Sequence, residues 1–417
     1  MRGKIDLVEF IYYIITAFIV GFFLVFSIGI DTSRNIAGLL SIGVLVLFIP
    51  ALIVNFGKFP KSPYIYSSFL LVSILYEIIR SYRLYALNFQ QIFLALRQYI
   101  WIFLFWILLF QFKRARGNYQ RILNNILIIV VITLLIRSIP WFLYTFFQIE
   151  TFPKILKEFG GLWYRNATAI RVDGTPLISI ALFLSIYLSM KFQNLKYRYA
   201  TFIIMSYILF VNQTRVLIFS VVISGFLMYL YSRESTFLLR FSKIIIVFGI
   251  LGCIIFGGIS LLSNQYTEML SIQDRGLGYR YWELNYYLSL LAENNWKYGV
   301  GILTGSNPNS AAILYGTWTS KMYLDDLGFL ELFVQFGMLS ILLYGYLFYK
   351  LQSIIRKLDY KAARYEKALM VAIFSNLLIT MISLNVYGIQ RSFSLSIILA
   401  LIFYFEDQLR FDMKGVS

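Results

Sequence analysis

The sequence predicts an all-α, polytopic integral membrane protein with about twelve transmembrane helices and a long extracytoplasmic loop between the ninth and tenth. Three observations predict this. Of 417 residues, 59% are hydrophobic and 14% are charged, with a mean hydropathy of +0.73. Soluble domains carry roughly 25% charge, and a soluble fold of this length could not hide so much apolar surface from water. The apolar residues gather into long runs, and lysine and arginine are spread unequally over alternate breaks between them.

The runs are 8–28, 36–56, 63–79, 91–112, 122–147, 175–191, 199–213, 214–232, 242–262, 327–349, 366–387 and 392–406. The first follows Arg2 and Lys4 and has no small-residue cleavage site, so a retained anchor is expected rather than a removed signal peptide. The seventh and eighth are short and nearly abut. With the N-terminus inside, inward segments hold 22 lysines and arginines and outward loops hold 13, while Arg97 and Arg137 fall within spans. The short segments 113–121 and 350–367 are strongly basic. Both termini are therefore expected in the cytoplasm. The net charge of +17 then reflects topology and anionic lipid, not nucleic acid. The whole chain, 1–417, reads as one transmembrane domain. Its long outward loops run 149–174 and 263–325, and loops of such length usually carry function.

Composition removes much chemistry. The chain has no histidine, which excludes His-ligated zinc, histidine general bases and Ser-His-Asp triads. Its single cysteine, Cys253, lies in an apolar run and reads as packing. No P-loop, dinucleotide-binding glycine pattern or DxD in a supporting context occurs, so neither a cofactor nor a nucleotide-sugar donor is expected.

The outer side keeps arginines that a purely topogenic pattern avoids: Arg165 and Arg171 in the first long loop, Arg275 and Arg280 in the second, and Arg215 at the start of the eighth run. Arginine keeps its charge and offers a planar fork of donors suited to phosphate and pyrophosphate. The plainer reading is that each snorkels or pairs with an acid. In the second loop, Tyr279, Trp282, Tyr286 and Leu290 share one face at helical spacing, with Arg280, Glu283 and Lys297 off it. That stripe is either an interfacial belt or a groove for sugar rings. The acids there include Glu268, Asp274, Glu283, Glu293, Asp325 and Asp326, and without histidine a general base must be sought among them. Asp325 and Asp326 could instead cap the next helix. Two carboxylates could also hold a divalent cation, although no spacing marks a metal site. Glu77 and Arg80, three apart, suggest a helical ion pair. With Arg97 and Arg137, Glu77 could alternatively form an ion or proton relay, the mark of a transporter.

The layout resembles the Wzy-type O-antigen and capsular polysaccharide polymerases and, more distantly, the O-antigen ligases. Local stretches are similar too: Arg171-Val172-Asp173-Gly174-Thr175-Pro176 before a span, Asn212-Gln213-Thr214-Arg215 opening one, Arg280-Tyr281-Trp282 followed by Tyr298-Gly299-Val300-Gly301, and Asp326-Leu327-Gly328-Phe329-Leu330-Glu331 followed by Phe336-Gly337-Met338-Leu339. The ligases use a histidine in the long loop, so its absence favours the polymerases. The resemblance implies a glycosyltransferase acting at the outer face of the plasma membrane. It would transfer a growing glycan from undecaprenyl pyrophosphate to the next lipid-linked repeat unit. A flippase and a chain-length regulator are implied partners. On that basis Arg165, Arg171, Arg215 and Arg280 would hold pyrophosphate. Arg215 and Arg280 would act in catalysis with Asp325 or Asp326 as base and Glu283 as second choice, and Trp282 and Tyr286 would stack on sugars. The competing expectation is a multi-span transporter or flippase of lipid-linked oligosaccharide, against which the 63-residue outer loop 263–325 and the lack of a visible internal repeat count.

Overall fold

The computed structural model describes residues 6–23, 28–115, 118–149, 163–166, 169–232, 275–293, 296–316, 322–359 and 362–415, with backbone alone for 163–166, 169, 275–279 and 411–415. The ninth predicted run, Cys253, Glu268 and Asp274 lie outside these residues. The chain is about 81% helical. The elements are α1 (Leu7–Val20), α2 (Ile30–Val54), α3 (Lys61–Tyr85), α4 (Phe89–Phe103), α5 (Phe105–Arg114), α6 (Tyr119–Phe147), a hairpin β1 (Trp163–Asn166) and β2 (Ala169–Arg171), α7 (Ile178–Phe192), α8 (Leu195–Ser206), α9 (Arg215–Ser232), α10 (Arg275–Glu293), α11 (Pro308–Tyr315), α12 (Phe329–Phe336), α13 (Met338–Lys357), α14 (Arg364–Thr380) and α15 (Ser392–Gly415).

Among the described residues, seven helices have the length and apolar composition to cross a membrane: α2, α3, α4 with α5, α6, α9, α13 and α15. Helices also lie on the first, sixth, seventh and eleventh runs, but they are shorter or more polar. The chain is thus an all-α polytopic membrane protein.

Local chemistry sets the boundaries. Asp6 accepts the Glu9 N–H at 2.8 Å and caps α1. Asn88 and Gln91 form a reciprocal capping box on α4. The abutting seventh and eighth runs separate at a π-turn, Tyr207–Asn212, followed by Gln213 in a left-handed conformation (φ 51°). That turn breaks the helical axis before α9.

Burial ranks the helices. In α15, 83% of the apolar window is buried, and it is the central rod; in α2 the figure is 28%, and its apolar residues face outward. In a bilayer the outward apolar face is the lipid side. Between α9 and α14, Ser375 donates to Ser224 (3.0 Å) and the Asn376 amide to Ser220 (3.1 Å). Small polar residues let two membrane helices approach closely and bind each other there.

The charges separate to the two ends of the bundle. At one end lie the pairs Arg114–Asp6 (2.6 Å), Arg121–Glu9 (2.7 Å), Lys113–Asp407 (2.8 Å) and Lys350–Glu406 (3.2 Å). These cations all come from segments the charge pattern assigns to the inner side. Of the arginines assigned to the outer side, Arg171 and Arg280 both act on Asp326, and Arg34 is within reach of Asp325.

Candidate functional site

The end of the bundle that the charge pattern assigns to the outer side is built on α3. Arg80, one turn from its end, donates to the carbonyls of Tyr298 and Gly299 and pairs with Glu77 at 3.4 Å. Ser81 accepts the Ile302 N–H at 2.7 Å, and the Tyr85 hydroxyl donates to the Val300 carbonyl. The Glu77–Arg80 pair is therefore structural, as the spacing suggested, and fastens the second long loop to the bundle.

The same stretch docks on the end of α12. Val300 N–H donates to Val334 O (2.7 Å), Gly301 N–H to Gln335 O (3.0 Å) and Met338 N–H to Lys297 O (3.0 Å). Gly299 and Gly337 have φ of +67° and +56°, and a Cβ on Gly337 would lie 2.3 Å from the Lys297 carbonyl. The Gly-x-Gly of the loop and the Phe-Gly-Met after α12 thus meet as one clasp. Only glycine permits that approach.

The face α10 buries is offset from the predicted one. Glu283, Tyr287 and Leu291 are buried, whereas Trp282 is 70% exposed. The stripe marked by Trp282 and Tyr286 is displaced by one position because the helix packs on a small core of Tyr85, Leu87, Val300, Leu324 and Leu327. Tyr286 is drawn into it, its hydroxyl donating to Ile313 O at 2.8 Å. This packing leaves Trp282 as the freer ring for sugar stacking.

Glu283 accepts the Tyr323 N–H at 2.8 Å and so fixes the 3-10 turn Leu324–Leu327 that carries Asp325 and Asp326. Capping does not occupy these aspartates. Helix α12 begins after Gly328 with no side-chain cap, because Gly328 at φ +61° separates the turn from the helix. Asp325 is exposed and Asp326 half-buried. Burial raises the Asp326 carboxyl above its ordinary value; Arg280 opposes this most, Asp325 adds to it, and Arg171 also opposes it. Glu283 is likewise raised by burial, against the Tyr323 N–H, with Asp326 raising and Arg280 lowering it further. Arg280, Arg171, Asp325, Asp326 and Glu283, drawn from both long loops, share one electrostatic neighbourhood.

The first loop reaches it through a tether. Arg171, closing the hairpin, pairs with Asp173 at 2.8 Å. Val172 N–H donates to Val211 O (3.1 Å), and the Tyr207 hydroxyl donates to Asp173 O (3.0 Å). Arg215 is exposed at the first position of α9, a few residues beyond this tether. Arg165 and Arg275 are placed by backbone only.

Sequence reasoning missed two features. Glu331 on α12 is buried, is influenced by Asp325 and Asp326, and points its Oε2 at the Asn385–Gly388 turn. Its place in the Asp326–Glu331 stretch was the signal that could have found it. The second is Arg34 and its association with Arg97 and Arg137, which the sequence marked only as charges within spans. Arg97 donates to Asn35 (2.7 Å) and Asp31 (3.2 Å), and Arg137 donates to the carbonyls of Val20 (2.7 Å) and Asp173 (3.1 Å). Arg34, one helical turn from Asp31 and from Gly38, interacts electrostatically with Arg97, Asp31, Arg137 and Asp325. The polar run Asp31-Thr32-Ser33-Arg34-Asn35 was its only trace in the sequence.

No known protein-family model matches this chain, and no curated protein matches it significantly.

Proposed function

We propose that this protein is a polysaccharide polymerase. It transfers a growing glycan from polyprenyl pyrophosphate to a hydroxyl of the next lipid-linked repeat unit at the outer face of the plasma membrane. The observation that carries the reading is Asp326, a half-buried carboxylate on which Arg280 and Arg171, from the two long loops, both act electrostatically. A glycosyl transfer of this kind needs a base for the acceptor proton and fixed cations for the departing pyrophosphate. Asp326 takes the proton, with Asp325 and Glu283 beside it. Arg280 and Arg171 face the leaving group, with Arg215 and Arg165 as further phosphate ligands and Trp282 as a stacking surface. Both termini then face the cytoplasm, and a flippase delivering lipid-linked units and a chain-length regulator are the expected partners.

The transporter reading rested on Glu77, Arg97 and Arg137. Glu77 pairs with the arginine that fastens the outer loop, and Arg97 and Arg137 join the outer cluster. Neither position supports a relay through the bilayer.

Deletion of the gene tests the reading. A polymerase deletion leaves single repeat units on the carrier and abolishes the long-chain glycan ladder. Complementation with Arg280→Ala at normal protein level should fail to restore it. A restored ladder would falsify the assigned site.

A further inference from the structure

We propose that Arg34, Arg97 and Arg137 form a second phosphate-binding subsite at the end of the bundle assigned to the outer side, made of residues other than the Arg171–Arg280 pair. Three observations carry it. First, Arg34 lies within electrostatic reach of both Arg97 and Arg137, although like charges repel unless an anion lies among them. Arg97 pairs with Asp31 at 3.2 Å, and the carboxylates near this group are exposed or engaged elsewhere. Asp31 has a side chain 81% exposed, Asp173 already pairs with Arg171, and Asp325 is exposed. Second, Arg34 makes no hydrogen bond or ion pair with any described residue, while its guanidinium stays half-buried. Third, Arg97 is 9% exposed, yet its Nε has no hydrogen-bond partner among the described residues. A buried guanidinium donor left unmade is costly, and a phosphoryl oxygen satisfies it.

Geometry fixes the subsite without reference to titration. Asp31, Asn35 and Gly38 lie along one face of α2. Arg97 bonds the first two, and its Cβ is 3.6 Å from where a Cβ on Gly38 would sit. Arg34 lies between them on the same turns. Arg137 reaches over from α6 to the end of α1.

The inference rests on the polymerase reading for its ligand. Chain extension places two carrier lipids at one site, a donor and an acceptor, and each bears a pyrophosphate. Two cation groups, one acting on Asp326 and the other within reach of Asp325, match two such heads. The shared chemistry is a phosphate group at the membrane boundary, whether on the carrier or on a bulk anionic lipid.

The test uses the full chain in zwitterionic nanodiscs, titrated with inorganic pyrophosphate. Wild type should bind two equivalents. Arg34→Gln and Arg280→Gln should each remove one, and the double variant both. Arg34 makes no hydrogen bond with a described residue, so Arg34→Gln should leave the melting temperature unchanged. Competition by a polyprenyl pyrophosphate assigns the subsite to the carrier; competition by phosphatidylglycerol assigns it to a bulk headgroup. Either supports a phosphate subsite. Binding of one equivalent by wild type, or two by Arg34→Gln, overturns it. The readout needs no glycan synthesis, so a chain that binds two pyrophosphates but polymerises nothing would refute the polymerase reading and leave the subsite standing.

Discussion

Replacing Gly337 by alanine should open the outer loop while leaving the bundle folded. At φ +56° and ψ −135°, this backbone conformation costs an L-residue about 1–3 kcal/mol. The added Cβ would also lie 2.3 Å from Lys297 O and 2.6 Å from Gly299 N, so the two strands of the clasp must part. The bonds at risk are Val300–Val334, Gly301–Gln335 and Met338–Lys297. Losing two of them costs about 1–3 kcal/mol at the usual net worth of a hydrogen bond. A total near 4 kcal/mol corresponds to roughly a thousandfold rise in the opening equilibrium. Amide hydrogen exchange in nanodiscs reads this directly: protection at Val300, Gly301 and Met338 should fall by about that factor, with α15 unchanged. A Cβ placed on Gly345 in α13 would meet nothing within 4 Å, so Gly345→Ala is the control and should not loosen the loop. Wild-type protection in Gly337→Ala would show that the clasp does not hold the loop as argued.

Other outcomes follow from the same contacts. Arg80→Ala leaves Glu77 buried without its cation and should cost about 3–5 kcal/mol; in a Glu77→Gln background the loss should be smaller, and equal losses in chemical-denaturation cycles would deny the coupling. Asp326 and Glu283 hold protons more tightly when folded than the ordinary 3.8 and 4.5. Their contribution to stability is therefore full below those values and is lost as pH rises through the raised ones. As a base, Asp326 must be deprotonated, so polymerisation should rise with pH along a limb displaced above 3.8. Arg280→Gln should move the residual activity's limb further up and Arg280→Lys less, and a limb that does not move would separate Arg280 from Asp326. Trp282→Ala, at an exposed position, should raise the KM for lipid-linked acceptor without changing melting temperature, whereas Tyr286→Phe should lower stability by about 1 kcal/mol through its lost bond to Ile313.

Hydropathy revealed the membrane class and most helix positions because the bilayer demands long apolar runs. It failed where local geometry decides. Nothing in Val211-Asn212-Gln213 announces a π-turn. The aromatic spacing of α10 was legible, but not which side of it the small loop core takes. That is why Glu283 proved buried and Trp282 exposed. Asp325 and Asp326 look like caps in sequence, and only the conformation of Gly328 removes them from that role. Arg280, Arg171, Asp326 and Glu283 were legible as chemistry from their scarcity in an apolar chain. Arg34 was not, because its significance comes from Arg97 and Arg137 on helices far along the chain.

On the proposed polymerase reading, the sparse covering of α2 would bear on how a lipid-linked substrate arrives. Its outer start carries Arg34, while Leu39, Val46, Leu47 and Val54 are 61%, 57%, 68% and 74% exposed. An isoprenoid whose phosphates rest against Arg34 can keep its tail among the acyl chains alongside this helix. Lifting that tail into water would forfeit about 0.8 kcal/mol per methylene; sideways entry from the leaflet avoids that loss, and the emptied carrier can leave by the same open flank.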